Sequence, residues 1–152
     1  MIEKVDILAI GAHPDDVELS CSGTLASHID KGFTVGLLDL TRGELGTRGT
    51  AESREEEAEA SRKLMGAKFR TQLDLGDGFF EINKDNLKAV IRVIRASQPK
   101  IVLANALSDR HPDHAKGAEL SSKACFLSGL RKIQTYFKEE AQPPWRPEIV
   151  LH

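Results

Sequence analysis

Two short stretches hold the residues best suited to chemistry: AHPDD at 12–16 and HPDH at 111–114. Each sets imidazole beside carboxylate around a proline. His13 and Asp16 are three apart, so a helix begun after Pro14 presents them on one side and aims Asp15 elsewhere. His114 opens a second helix, with His111 three residues before it. His13, His114 and Asp16 together make two imidazoles and one carboxylate, a three-ligand set for a divalent cation that leaves a coordination position for water. Asp15 is then free to accept a proton from that water, and a cation relieves the repulsion between the two adjacent aspartates. His111 lies near the same spot. Asp113, two residues on, is expected to hold one of its ring nitrogens and favour the protonated form.

Plainer readings compete. Aspartate after proline caps helices, and HPDD by itself is more often a helix start than a metal site; a second such stretch on a matching loop reverses that balance. Non-haem Fe(II) oxygenases also use two histidines and a carboxylate, but in antiparallel barrels. A non-catalytic nucleotide- or sugar-binding α/β module fits the fold yet leaves Asp15 and His111 without a task. In TRGELGTRGT, Gly43, Gly46 and Gly49 follow neither the dinucleotide fingerprint nor a phosphate loop, and read as a loop passing close to a ligand. Arg54, at the start of the next helix, either reaches sugar hydroxyls or a carboxylate, or joins Glu55–Glu57 on a solvated face.

The elements that must position these residues alternate along the chain. Apolar runs at Val5–Ile10, Phe33–Leu40, Thr71–Leu75 and Ile101–Ala104 read as strands. Helices are expected over 17–31, ending at Gly32, over 52–65, ending at Gly66, over Lys84–Ser97, and from about His114 to Leu127. Such alternation predicts a Rossmann-like three-layer α/β fold, with a mainly parallel sheet and helices on both faces. Ligands of such sheets sit beyond the carboxyl ends of the strands, the edge that carries both histidine loops. The tail, QPPWRPEIVLH, cannot be helical, and EIVLH looks like a strand cut off as it begins.

The 152 residues fit one domain, 40% apolar and 29% charged, with a net charge of −2. Interleaved acidic and basic residues leave no footprint for nucleic acid, and no apolar stretch approaches the ~20 residues that span a bilayer. The start lacks the features of a secretion signal, and Cys21 and Cys125 read as unpaired thiols of a reducing cytoplasm.

AHPDD and HPDH, together with TRGELGTRGT and LGDG at 75–78, resemble the LmbE/PIG-L-like metal-dependent N-acetylglucosaminyl deacetylases. The pairing of LTRGELGTRGT with DRHPDH is most similar to the bacillithiol branch, which removes acetate from N-acetylglucosaminyl malate. The resemblance implies Zn(II), with Fe(II) as an alternative, held by His13, Asp16 and His114. It implies Asp15 as general base, His111 assisting at the carbonyl oxygen, and Asp113 as its partner. Arg54 and Asp77 match positions that hold sugar hydroxyls, and Arg110 is a cation for the malate carboxylate. The implied partner is a small acetylated amino-sugar conjugate. Family members are longer than this chain and often form trimers or hexamers, so residues 1–152 are expected to be a single deacetylase domain lacking its C-terminal part.

Overall fold

The computed structural model describes residues 1–152. The first apolar run becomes β1 (Ile7–Gly11), buried along its whole length, and β2 (Val35–Asp39) is buried likewise. Both are covered on two faces, which is why they read as continuous runs rather than alternating ones. Between them lies α1 (Asp16–Asp30), and the chain turns back at Gly32, whose φ of 90° suits glycine. The further elements are α2 (Ala51–Met65), β3 (Phe69–Gln72), α3 (Lys84–Ser97), β4 (Ile101–Leu103), α4 (Pro112–Leu127), β5 (Tyr136–Phe137), β6 (Glu140–Ala141) and β7 (Ile149–Leu151).

Five strands form one parallel sheet in the order β3-β2-β1-β4-β7, and β5 and β6 form a small antiparallel hairpin. Ile7 and Ala9 join Val17 and Leu25 of α1 on one face; Leu8 and Ile10 join Val90, Ile91 and Ile94 of α3 and Leu120 and Ala124 of α4 on the other. The three-layer arrangement thus follows from side-chain alternation along β1. Connections leave β1 toward β2 on one side and reach β4 on the other, so the strand order reverses between β1 and β4. The crevice at that switch point opens at their carboxyl ends, where both histidine loops begin.

Several boundaries differ from expectation. β3 starts at Phe69, two residues before Thr71, because Gly36–Asp39 of β2 pair with Phe69–Gln72. β2 excludes Phe33, which is 47% exposed. α4 starts at Pro112 with His111 as its N-cap, two residues before His114, since proline suits the first helical turn. The β5–β6 hairpin was not foreseen: Lys138 and Glu139 turn with positive φ, a conformation that neither residue type announces. The closing EIVLH does supply a strand, β7, paired in parallel with β4.

Gly36 in mid-β2 shows how closely the layers fit. A Cβ there would stand 2.4 Å from the Phe69 ring. Gly36→Ala is therefore expected to destabilise the fold by about 1–3 kcal/mol through overpacking. Urea denaturation would register this as a lower midpoint with unchanged slope, and Phe69→Leu in the same chain would recover part of it.

Candidate metal centre

The turn after β1 lays its groups out one by one. Asp15 occupies the N-cap position of α1 but makes no capping hydrogen bond, so the plain helix-cap reading does not describe its side chain. Its Oδ2 instead lies 3.4 Å from Nη2 of Arg54, and the side chain is 58% exposed. Asp16 points inward. Its Oδ2 accepts from the His13 backbone N–H at 3.1 Å and from Asn105 Nδ2 at 2.9 Å, and stands 3.7 Å from His13 Nδ1. Its Oδ1 lies 3.1 Å from His114 Nε2. Residues a hundred positions apart thereby meet on one carboxylate, and Asn105 ties the ends of β4 and β1 by also accepting from the Ala12 N–H at 3.0 Å.

Each of the two imidazoles has a carboxylate on its far nitrogen. His13 Nε2 is 3.1 Å from Asp77 Oδ1 and 3.2 Å from Asp113 Oδ2, and His114 Nδ1 is 3.2 Å from Asp109 Oδ2. A proton donated outward to these carboxylates leaves His13 Nδ1 and His114 Nε2 as lone-pair donors turned toward Asp16. That is the pattern that supports metal-ligating histidines, and in donor type and direction the set suits a divalent cation such as Zn(II). Ring nitrogens of His13, His111 and His114 also lie within 4.8 Å of one another.

Asp113 departs from expectation. Its carboxylate does not reach His111: buried under the first turn of α4, it engages His13 and accepts from the Gly78 N–H at 2.7 Å. Only its backbone N–H meets His111, donating to Nδ1 at 3.3 Å in the N-cap of α4. Because Nδ1 accepts, the proton of neutral His111 sits on Nε2. The expected partnership of Asp113 with His111 is thus made by the backbone N–H and not by the carboxylate, which leaves the Nε2 side of the ring free to donate. Asp77, expected near sugar hydroxyls, is buried behind His13, and its Oδ2 accepts from Leu45 N–H at 2.9 Å. Arg110 is exposed on the loop before α4.

Charge follows this geometry. Burial opposes the cationic form of His13, yet the Asp16 hydrogen bond and the charges of Asp16 and Asp77 outweigh it and raise its pKa from 6.5 to about 9. Burial likewise opposes ionised Asp16, but hydrogen bonds from His13 and Asn105 lower its pKa to about 2. In the metal-free protein at neutral pH a proton therefore stands where a cation would. Two results are expected. Zinc uptake at pH 7 releases protons, measurable by titration calorimetry in buffers of different ionisation heat. The stability that protonated His13 lends the metal-free fold is full below pH 6.5 and lost as pH rises through 9, whereas that of Asp16 is present above pH 3.8 and lost as pH falls through 2. His13→Gln should remove the alkaline part of that profile.

Sequence reading missed Arg70, Asp39, Asn105 and Asp109. Arg70 on β3 grips Asp39 with a two-point fork, Nε to Oδ2 at 2.6 Å and Nη2 to Oδ1 at 2.8 Å. It also pairs with Glu18 and donates to the Pro14 carbonyl at 2.6 Å, thus holding the AHPDD turn from beneath. Burial pushes the Asp39 carboxyl up, and the hydrogen bonds and charge of Arg70 oppose that rise. The one available signal was a charged residue inside a strand, and its partners lie on elements that the sequence does not align.

The sequence profile of the GlcNAc-PI de-N-acetylase (PIG-L) family matches residues 8–125, from the first strand to the body of α4. The chain belongs to this family. Among relatives, the uncharacterized deacetylase YaiS of Escherichia coli K12 is 34% identical over 130 residues, 81% of this chain and 69% of that protein. The diacetylchitobiose deacetylase of Thermococcus kodakarensis is 33% identical over 134 residues, 82% of this chain and 50% of its own length. The crystal structure of the conserved protein TT1542 from Thermus thermophilus superposes with a TM-score of 0.88 at 38% identity, over 96% of this chain and 64% of that one. The chain thus spans from half to about two thirds of the length of these PIG-L relatives. No helix in it is long and apolar enough to cross a membrane.

Proposed function

We propose that the protein is a metal-dependent hydrolase that removes acetate from the nitrogen of an N-acetylglucosaminyl conjugate. The observation that carries this reading is the convergence of His13, Asp16 and His114, each imidazole backed by a carboxylate, with Asp15 beside them and uncommitted to any cap. In this reading those three hold Zn(II) or Fe(II), since the same donors suit both. A cation bound there supplies Lewis acidity, lowering the pKa of a water toward ~7 and polarising the acetyl carbonyl. Asp15 takes the proton of the attacking water. His111 donates its Nε2–H to the carbonyl oxygen, which becomes negative as the amide carbon turns tetrahedral. The departing amine needs a proton, and Asp15, having just received one, is able to return it. Asp113 and Asp77 keep His13 aligned, so their service is to the ligand; the burial of Asp77 argues against contact with a sugar hydroxyl.

The conjugate we favour is N-acetyl-α-D-glucosaminyl L-malate, supported by the likeness of LTRGELGTRGT and DRHPDH to the bacillithiol branch and by the exposed cation Arg110 beside the site. The test is acetate release by purified protein loaded with Zn(II) or Fe(II), on the malate conjugate, a glucosaminyl-inositol and diacetylchitobiose. Fastest release from the malate conjugate is expected. Release from another of the three would keep the deacetylase and replace the aglycone, and release from none would refute the reading.

A further inference from the structure

The glycines of TRGELGTRGT have no task in the chemistry above. Gly43, Gly46 and Gly49 recur at every third position; the first two face the Arg54 side chain closely, whereas a Cβ on Gly49 would first meet Ser53 Oγ at 2.7 Å. A Cβ on Gly43 would stand 2.7 Å from Cζ of Arg54, one on Gly46 2.5 Å from its Nη1, and one on Gly49 3.8 Å from its Cγ. At Gly43 and Gly46 the loop thus offers a trough without side chains, against which the Arg54 guanidinium lies. Gly43 and Gly49 also have φ of 64° and 76°, reason enough for glycine. Gly46 does not. A Cβ there would meet Arg54 Nη1 first, at 2.5 Å, and the Gly43 carbonyl at 3.2 Å, a tight contact relieved by a shift of a few tenths of an ångström.

At the end of the trough the guanidinium divides its donors. Nη1 donates to the Gly43 carbonyl at 3.3 Å, and Nη2 stands 3.4 Å from Asp15 Oδ2. A planar fork can hold a backbone oxygen and a carboxylate together, which a lysine ammonium does less well. Asp15 has no capping bond and no other charged partner, so Arg54 is what restrains its carboxylate.

We propose that the trough at Gly43 and Gly46 is a seat for Arg54, and that Arg54, once seated, is the positioning residue that aims Asp15 at the reacting centre. The second half rests on Asp15 as base; the seat itself does not. The motif then serves a side chain of the protein rather than a ligand.

Gly46→Ala is the test, because the added methyl meets the far end of a flexible side chain and the fold can survive by pushing Arg54 aside. The expected result is a fall in kcat for acetate release of about 10- to 100-fold, with KM within about twofold and bound metal unchanged. A crystal structure of the variant should show Arg54 off Asp15. Arg54→Ala should reproduce the loss, and adding Gly46→Ala to it should cost no more than about twofold, since the clash has lost its partner. A raised KM with kcat preserved would overturn the proposal, because Arg54 would then grip substrate. Losses that multiply in the double variant would also overturn it. If Gly46→Ala does not fold, Arg54→Ala with full kcat overturns it alone. A wild-type protein releasing acetate from no glucosaminide refutes the deacetylase reading instead; the variant's structure then decides, and Arg54 still on Asp15 would sink the seat.

Discussion

Asparagine at position 15 is expected to lower turnover by about 10²- to 10⁴-fold while leaving the metal in place. The asymmetry follows from where the two adjacent aspartates point. Asp16 is enclosed by His13, His114 and Asn105, which take up its carboxylate oxygens. Asp15 is more than half exposed and touches only Arg54. An amide keeps the size of Asp15 but cannot accept the proton of an attacking water. The exposed ion pair with Arg54 contributes at most about 1 kcal/mol, so the fold should hardly notice. Acetate release and metal content on the same preparation check this. A fully active Asp15→Asn would remove the base assignment, and a metal-free one would make Asp15 a ligand. His114→Ala should behave in the opposite way, losing metal first and turnover as a consequence.

Arg70→Met is expected to destabilise the protein by about 3–5 kcal/mol, the usual loss when one partner of a buried ion pair is removed. Asp39 is wholly buried, and without Arg70 it must either bury an unpaired charge or take up a proton, while Glu18 would lose its cation. The expected remedy shows that charge is the cause: Asp39→Asn added to Arg70→Met should recover part of the loss, because a neutral amide costs less to bury. Urea denaturation of the metal-free single and double variants would measure both. If the double variant is no more stable than the single one, the cost lies in packing instead. Activity should also fall in Arg70→Met at temperatures where it remains folded, since the Pro14 carbonyl loses the donor that fixes the AHPDD turn.

The position of the site at the carboxyl edge of the sheet has a simple origin. β1 and β4 are neighbours in the sheet but leave it toward opposite faces, so no connection crosses the gap between their ends. Asn105 spans that gap with two hydrogen bonds, joining the Ala12 N–H after β1 to the Asp16 carboxylate.

What could be read from the sequence alone was whatever depends on neighbours along the chain. Buried strands announced themselves as apolar runs, helix ends as glycines at 32 and 66, and the site as two His-Pro-Asp turns after strands. The three-residue spacing of His13 and Asp16 is closed by a single turn ahead of α1, with the Asp16 N–H on the His13 carbonyl at 3.3 Å, and so needed no tertiary knowledge. Tertiary structure alone decided which atoms meet. Asp113 was paired by proximity with His111, but the first turn of α4 buries its carboxylate against His13 a hundred residues away. Nothing along the chain links Arg70 to Asp39; β3 lying beside β2 supplies that partner. That Gly43 and Gly46 lie against Arg54 is likewise set by where α2 packs. Local periodicity sets backbone shape, whereas a hydrogen bond between distant residues depends on strand order and register, which no stretch of the chain carries by itself.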